Sequence, residues 1–455
     1  MFDSDNPYLK GNFAPWREEG EAFDLEVTGS IPPELNGTLY RIGPNPHFAP
    51  IGRYHWFDGD GMVHAFILRD RRAAYRNRYV RTEGLVAEMK AGRALYGGLL
   101  NPTVEAPPGM PPFKNVANTN IVRFADRLLA LWEAGLPHEL EPATLATRGT
   151  FDFGGSLSGP MTAHPKLDPL TGELHFFGYQ PFPPYVTYYR ADIRGNLVEQ
   201  RAIDTGLPTM MHDFVVTAHH ALFFVCPVVF HLENMAAGKP MLTWEPNHGT
   251  RIGMMDRRPG GEVRWFETDP CYIFHFLNGY EDGNSIVVDA CRLDHLDLSG
   301  GVFDATPMAN RFTFDLGSGA VRREQIDDRP GDFPRLNDNL TGRAHRYGYF
   351  AGSSTDPRDA RIFNSLIKRD YVRHASDVAQ LGDHMTPGEP VFVPRRNAES
   401  EDDGWVLCVW YDAALNRSEM VVHDARHFAA DPIARVKLEH RVPFGFHGNW
   451  LPSRK

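Results

Sequence analysis

Histidine is the residue type in this sequence with the clearest potential for chemistry. The chain contains 20 histidines, and four of them follow small or apolar residues, in Met161-Thr-Ala-His164, Met210-Met-His212, Tyr272-Ile-Phe-His275 and Phe444-Gly-Phe-His447. This setting predicts buried imidazoles, which need a hydrogen-bond partner or a metal ion because unpaired ring nitrogens are costly in an apolar site. We expect four others to be ordinary surface or hydrogen-bonded residues, namely His219, His220, His345 and His384.

The four apolar-flanked histidines are widely spaced. Successive members lie 48, 63 and 172 residues apart, and no local motif such as H-E-x-x-H joins them. Spacing alone therefore leaves two interpretations open, a shared metal site or four separate core histidines with hydrogen-bond partners. The metal interpretation requires a radial fold, in which successive sheets each present one residue to a central axis.

The elements that must position these histidines are predicted to be β-strands. Short β-favouring stretches, such as residues 37–43, 173–179 and 284–289, alternate with turn signals, and 42 glycines and 36 prolines are spread between them. Dipeptides such as Asp282-Gly283 favour antiparallel hairpins. We therefore predict an all-β propeller or barrel forming one domain over residues 1–455, with a helix near 82–95 and an exposed acidic hairpin loop at 399–404.

Composition argues against several classes of function. The formal net charge of −11 disfavours a nucleic-acid partner, which needs a basic face on the protein. The four cysteines include no C-x-x-C pair, so neither a disulfide framework nor a thiolate metal site is predicted. No basic segment followed by an apolar run opens the chain, and no apolar stretch is long enough to span a membrane. We expect a cytoplasmic protein with at most peripheral membrane contact.

Longer motifs extend over nearly the whole chain. The first half contains residues 6–15 (NPYLKGNFAP), 29–37 (GSIPPELNG), 41–46 (RIGPNP), 55–64 (HWFDGDGMVH) and 118–120 (NTN). The remainder contains 163–165 (AHP), 211–214 (MHDF), 274–275 (FH), 389–394 (EPVFVP) and 446–448 (FHG). In this combination the sequence resembles the carotenoid cleavage oxygenases, a family that includes bacterial apocarotenoid and stilbene cleavers, plant carotenoid dioxygenases and the vertebrate retinoid isomerase.

This resemblance implies an all-β, seven-bladed β-propeller with helices and loops capping the active-site face. It implies that His164, His212, His275 and His447 bind iron(II), Fe(2+), and that Glu133, Asp332 and Glu389 orient their imidazoles. The family usually has a glutamate where this chain has Asp332. At that position, two interpretations stay open, a hydrogen bond to an imidazole or a solvated loop residue.

The implied reaction adds dioxygen across a conjugated carbon–carbon double bond of a carotenoid or apocarotenoid and yields two carbonyl products. Cleavage of stilbene or phenylpropanoid alkenes is the alternative within the same chemistry. Members that cleave those phenolic alkenes have a lysine where this chain has Trp132, and an indole cannot stabilise a phenolate. Trp132 therefore favours an apolar polyene, and Phe57 lies in a motif that contributes to the substrate pocket in the family.

Two further candidate functions and one candidate surface stay open. A retinoid-type isomerase is known in one branch of the family, although nothing local favours it, and a metal-free propeller that acts as an interaction module, with structural histidines, is the other candidate. Residues 95–104 and 106–113 are apolar enough to form a lip at a tunnel mouth that touches a membrane, and a covered loop is the alternative.

Overall fold

The fold is almost entirely β-structure. The computed structural model describes residues 5–101, 104–298, 305–353 and 363–453. Within these ranges the α-helices are α1 (Glu83–Ala91) and α2 (Glu233–Ala236), and short 3-10 turns lie at Pro7–Leu9, Gly11–Phe13, Trp56–Asp58, Pro246–His248, Asp338–Leu340 and Ala425–His427. Neither α-helix has the length and apolar character that a membrane crossing requires.

The strands are numbered in chain order. The first sixteen are β1 (Gly20–Ala22), β2 (Val27–Gly29), β3 (Gly37–Pro44), β4 (Gly61–Arg69), β5 (Arg72–Tyr79), β6 (Asn120–Phe124), β7 (Arg127–Leu131), β8 (His138–Leu140), β9 (Thr147–Thr150), β10 (Lys166–Leu167), β11 (Leu174–Tyr179), β12 (Tyr185–Ala191), β13 (Leu197–Asp204), β14 (Val215–Val216), β15 (His220–Val225) and β16 (Val228–Phe230). The others are β17 (Leu242–Trp244), β18 (Thr250–Asp256), β19 (Val263–Thr268), β20 (Tyr272–Asp282), β21 (Ser285–Leu293), β22 (Met308–Asp315), β23 (Val321–Arg335), β24 (Tyr347–Gly352), β25 (Ser365–Asp370), β26 (Ala375–Gln380), β27 (Met385–Pro387), β28 (Val391–Pro394), β29 (Gly404–Asp412), β30 (Arg417–Asp424), β31 (Ala434–Lys437) and β32 (Gly448–Pro452).

Strands β16 and β17 form a separate hairpin, and the other strands form seven antiparallel blades. Blade 1 contains β1, β5, β4, β3 and β32, blade 2 contains β6–β9, blade 3 contains β10–β13, and blade 4 contains β14, β15, β18 and β19. Blade 5 contains β20–β22 and blade 6 contains β24–β26. These two blades share the long strand β23, whose first part pairs with β22 and whose last part pairs with β24. Blade 7 contains β27–β31 and β2. The predicted seven-bladed propeller is confirmed.

The two ends of the chain close the ring of blades. Strand β32, near the C-terminus, pairs with β3 in blade 1, while β2, near the N-terminus, pairs with β31 in blade 7. Each end of the chain thus adds a strand to the blade formed mainly by the other end, and backbone hydrogen bonds within these two blades hold the ring closed. Both pairings involve residues more than 400 positions apart, which local sequence patterns do not reveal.

The core consists of one apolar cluster between each pair of neighbouring blades. Between blades 1 and 2, for example, Ile42 and Val63 pack with Ile121 and Leu128, and equivalent clusters fill the other six junctions. Burying each such side chain stabilises the fold by about 1.5–3 kcal/mol. The blades therefore support one another around the ring, and the positions of the strands that face its centre are fixed by this packing.

Local signals explain individual elements. Helix α1 begins after Thr82, whose hydroxyl accepts a hydrogen bond from the Leu85 N–H, and ends at Gly92 in the left-handed region with φ of 69°. The predicted helix is therefore confirmed. The acidic stretch at 399–404 does connect two strands, β28 and β29, but the expectation that it is exposed is wrong for Asp402 and Asp403, which are buried. Asp402 accepts from Lys368 Nζ at 2.6 Å, so ion pairing compensates for its burial.

Candidate metal centre

Each of the four apolar-flanked histidines lies at the edge strand of a blade. His164 and His212 precede β10 and β14, His275 lies within β20, and His447 immediately precedes β32. All four of these strands are terminal strands of their sheets. Strand β20 also has irregular pairing with β21 on both sides of Phe276, and such bulges re-aim the neighbouring side chains.

The four imidazoles meet at one point. Each offers one ring nitrogen, and these nitrogens all lie within 4.8 Å of one another. The Nε2 atoms of His164 and His212 are 2.9 Å apart, close to the separation of about 3.0 Å that adjacent ligands would have around an ion with metal–nitrogen distances of about 2.1 Å. All four imidazoles are largely buried, and the side chains of His212 and His275 are each 10% exposed.

Three of the imidazoles are held from behind by carboxylates. The Nδ1 atom of His212 contacts Glu133, that of His275 lies 2.8 Å from Asp332 Oδ1, and that of His447 lies 2.9 Å from Glu389 Oε1. A carboxylate at Nδ1 fixes the tautomer in which Nδ1 carries the proton, so that the Nε2 lone pair is available to a metal ion. The structure thus contains a contact between each of these three acids and a histidine, as the family resemblance implied.

Asp332 reaches His275 because the backbone is bent at this point. The pairing of β23 with β24 is irregular between Asp332 and Arg335, and Phe333 adopts a left-handed backbone with φ of 53°. That conformation is uncommon for a bulky residue. The Phe333 ring then stacks on the His275 ring at 5.1 Å between centroids. Of the two interpretations left open for Asp332, the structure places it at the imidazole.

Glu389 is the most firmly held of the three acids. It accepts hydrogen bonds from His447 Nδ1–H and from the Gly448 N–H at 2.8 Å, and Arg335 Nη1 lies 3.2 Å from its Oε2. Burial opposes ionisation of this carboxyl group, but the Arg335 charge and the hydrogen bonds outweigh it and lower the pKa to about 2. Glu389 is therefore an anion at neutral pH.

Glu133 connects the centre to an aromatic residue that sequence reasoning missed. The Tyr179 hydroxyl donates to Glu133 Oε1 at 2.6 Å, while Glu133 Oε2 contacts His212. Tyr179 ends β11 in blade 3, whereas Glu133 follows β7 in blade 2. Nothing in the local sequence around either residue indicates this contact, because it depends on how two blades are placed.

Electrostatics at the ring nitrogens are compatible with metal binding. Burial holds the pKa of His164 well below its usual value and lowers the pKa of His447 to about 4, so both are neutral, as a ligand must be. At His275, burial also disfavours the charged form, but the charge and hydrogen bond of Asp332 outweigh it and raise the pKa. Four imidazoles with three oriented by carboxylates fit a divalent transition metal.

An apolar cavity approaches the centre. It has a volume of about 410 Å³, and its walls include Phe57, Trp132, Glu133 and Tyr179. Both residues predicted to contact substrate, Phe57 and Trp132, thus line one cavity. Phe57 contacts Phe274 edge-on at 6.3 Å, and Phe274 in turn contacts the His212 ring at 5.3 Å. Aromatic side chains therefore extend from the cavity wall to a candidate metal ligand.

The histidines expected to be ordinary lie outside the centre. His219 and His220 both hydrogen-bond to Glu281, buried His345 contacts Asp289, and His384 is exposed. Among the described residues, His164, His212, His275 and His447 are the one group of three or more histidine, cysteine or acidic side chains arranged closely enough to hold a metal ion.

A propeller with four convergent histidines defines the class of protein, and comparison with known proteins identifies the family. Residues 13–452 match the family described as retinal pigment epithelial membrane protein. Across its full length the chain is 36% identical to carotenoid 9,10(9',10')-cleavage dioxygenase 1 of Arabidopsis thaliana, of which the match covers 92%. The chain therefore belongs to this family, and the resemblance to carotenoid cleavage oxygenases is confirmed.

Two solved structures are similar throughout. Lignostilbene dioxygenase of Pseudomonas brassicacearum superimposes with a TM-score of 0.92 and 31% identity over all of both chains. Cobalt-substituted apocarotenoid oxygenase of Synechocystis superimposes with a TM-score of 0.87 and 32% identity, covering 96% of this chain and 97% of that one. The fold of this chain is shared by an enzyme of each substrate type considered above.

Proposed function

We propose that this protein is an iron(II)-dependent dioxygenase that cleaves a conjugated carbon–carbon double bond of a carotenoid or apocarotenoid to two carbonyl products. The observation that supports this most strongly is the centre itself, in which four imidazole nitrogens converge and three carboxylates hold the opposite ring nitrogens. Its relatives named as carotenoid and apocarotenoid oxygenases support the choice of reaction.

In this proposal the protein's own residues bind, orient and exclude water. His164, His212, His275 and His447 hold the iron through Nε2, while Glu133, Asp332 and Glu389 keep the Nδ1 proton of three of them in place. An iron(II) ion held by these four imidazoles would supply the capacity to react dioxygen with an alkene. No side-chain nucleophile is needed for this chemistry.

The cavity supports an apolar substrate. Phe57 and Trp132 offer aromatic surface along which a polyene can lie with one double bond near the centre. Trp132 follows β7 directly and precedes Glu133. By the family resemblance, this is the position at which members that cleave phenolic alkenes have a lysine. An indole offers a single N–H donor and no charge, which favours a hydrocarbon chain over a phenolate.

Cleavage of stilbene or phenylpropanoid alkenes is the second candidate. The similarity to lignostilbene dioxygenase, together with 34% identity to isoeugenol monooxygenase of Pseudomonas nitroreducens over 98% of both chains, supports it. Trp132 argues against it on chemical grounds. The two candidates share the metal centre and differ only in what the cavity accepts.

Peripheral membrane contact at the cavity mouth is also proposed. Residues of both apolar segments predicted to form a lip line the cavity, including Leu99 and Phe113, although positions 102 and 103 lie outside the described residues. Phe113 is exposed, as are Val86 and Met89 on the outer face of α1. Exposed apolar side chains around the mouth of an apolar cavity are suited to taking a lipid-soluble substrate from a bilayer.

Product analysis tests the proposed function. The iron-loaded protein is incubated under air with apocarotenals and, separately, with hydroxystilbenes, and the aldehydes are identified by mass spectrometry. The proposal expects aldehyde pairs from the apocarotenals, whereas cleavage of the phenolic alkenes alone would select the second candidate. Conversion without incorporation of dioxygen would instead indicate an isomerase.

A further inference from the structure

A second cavity reaches the histidine centre separately from the apolar one. It has a volume of about 470 Å³ and is lined at one end by His164, His275 and His447. Asp338 and Asn339, which are exposed, line it as well, so the cavity extends from solvent to the centre. It shares no lining residue with the apolar cavity. We call this second cavity the polar passage.

The walls of the polar passage carry paired charges and amides. Lys166 Nζ lies 2.7 Å from Asp213 Oδ1, and Arg335 Nη1 lies 3.2 Å from Glu389 Oε2. Amide side chains complete the polar lining, at Asn120, Asn278, Asn339 and Asn449. The carboxylates thus neutralise the buried cations, and these polar groups share the wall with apolar side chains such as Val122 and Leu336.

The two cavities differ in the groups that a cation would meet on its way to the centre. A hydrated divalent cation that enters an apolar cavity loses favourable hydration at a large free-energy cost. The apolar cavity has carboxylates in its wall, but Asp60 and Glu88 pair with Lys114, and none of the four histidines lines this cavity. The polar passage has carboxylate and amide groups in its wall, whose oxygens can substitute for water around a cation, and three of the histidines line it directly.

We infer that the polar passage is the route by which the divalent metal ion enters and leaves the four-histidine centre, independently of the substrate cavity. Asp338 lies at its solvent end with a side chain that is 63% exposed; one carboxylate oxygen lies 3.4 Å from Arg335 Nη2, and the exposed carboxylate offers a first contact for a cation that arrives from solvent. The inference rests on the proposed metal centre and does not depend on which alkene is cleaved.

Metal uptake by blocked variants tests the route. Chelator-treated protein is mixed with Co²⁺, and uptake is followed by visible absorption and by metal analysis of desalted samples. Asn339→Trp places an indole at the solvent end of the polar passage, while Leu99→Trp places one on the apolar cavity wall. We expect Asn339→Trp to slow uptake and chelator-driven release by about tenfold or more with unchanged final stoichiometry. Leu99→Trp should leave both rates unchanged and raise the KM for substrate.

A charge variant keeps the test informative if the indole perturbs folding. Asp338→Lys should slow uptake by about tenfold at low ionic strength and less at high salt. Glu267→Lys is the matched control, because Glu267 is exposed on β19 and lines neither cavity.

Three outcomes separate the claims. Normal rates in both Asn339→Trp and Asp338→Lys would overturn the route but leave the metal centre intact. Slower uptake in Leu99→Trp than in Asn339→Trp would assign entry to the apolar cavity instead. Failure of wild-type protein to bind one Co²⁺ per chain would overturn the metal centre, and with it the route.

Discussion

Asp332 offers a sharp test of how the histidines are prepared for metal. Replacing it in Asp332→Asn keeps the size of the side chain and one oxygen at the position that lies 2.8 Å from His275 Nδ1, but removes the negative charge. The wild-type contact is a charge-assisted hydrogen bond, whereas the variant retains a neutral one. The structure therefore predicts weaker metal binding without loss of the fold.

The size of the effect follows from the two kinds of hydrogen bond. Hydrogen bonds to charged groups contribute about 1.5–3 kcal/mol and neutral ones about 0.5–1.5 kcal/mol. The difference of about 1–1.5 kcal/mol corresponds to a roughly tenfold increase in the metal dissociation constant. This agrees with the roughly 10- to 100-fold losses that accompany removal of groups that orient metal ligands.

Equilibrium titration of Co²⁺ against a competing chelator measures this constant. Asp328→Asn is the matched control, because Asp328 is an exposed acid on the same strand. Thermal unfolding of the metal-free proteins checks that both variants remain folded. If Asp332→Asn binds metal as tightly as wild type and Asp328→Asn do, the Asp332 carboxylate does not prepare His275 for metal binding.

Three further predictions concern the cavity, the aromatic partner of Glu133 and the surface. Trp132→Lys should raise kcat/KM for hydroxystilbenes relative to apocarotenals by about tenfold, because an ammonium group can pair with a phenolate; an unchanged ratio in paired assays contradicts our interpretation of Trp132. Tyr179→Phe removes the 2.6 Å hydrogen bond to Glu133 and should weaken Co²⁺ binding about threefold to tenfold in the same titration, whereas unchanged affinity makes Tyr179 irrelevant to the centre. Burial opposes ionisation of Glu281, but hydrogen bonds from Thr217, His219 and His220 outweigh it and lower its pKa to about 2 from 4.5. The ionised Glu281 carboxylate therefore stabilises the fold by about 1–2 kcal/mol after allowance for solvent screening, and this stabilisation is present above about pH 4.5 and is lost as the pH falls toward 2. In urea denaturation, the free energy of unfolding of Glu281→Gln should differ from that of wild type more at about pH 7 than at about pH 4. An equal difference at the two pH values contradicts this.

The sequence predicted the architecture more readily than the contacts across it. Hairpin signals such as Asp282-Gly283 do lie between paired strands, here β20 and β21. Strand β23 pairs with strands of two blades, and β32 adds the last strand to blade 1. Neither feature has a local sequence signature. The number of blades came from the family resemblance, because the strand repeat is too irregular to be counted from residues alone.

At the metal centre, too, the residues could be predicted from the sequence more readily than the contacts between them. Apolar flanks identified four buried histidines, but their convergence depends on four edge strands from different blades. Asp332 could not be assigned from sequence, because its reach depends on the bend at Phe333. Arg335 and Tyr179 were missed since each acts on an acid more than 40 residues away. Asp402 was misjudged for a related reason, because its partner Lys368 is distant in sequence.

We propose above that four histidines hold one iron ion per chain, and iron content tests this directly. Protein is reconstituted with iron(II) without oxygen and then desalted, for wild type, His275→Ala and the control His384→Ala, in which an exposed histidine is replaced. We expect one iron per chain in wild type and in His384→Ala, and loss of stoichiometric iron in His275→Ala. Full retention of iron by His275→Ala would contradict the four-histidine centre.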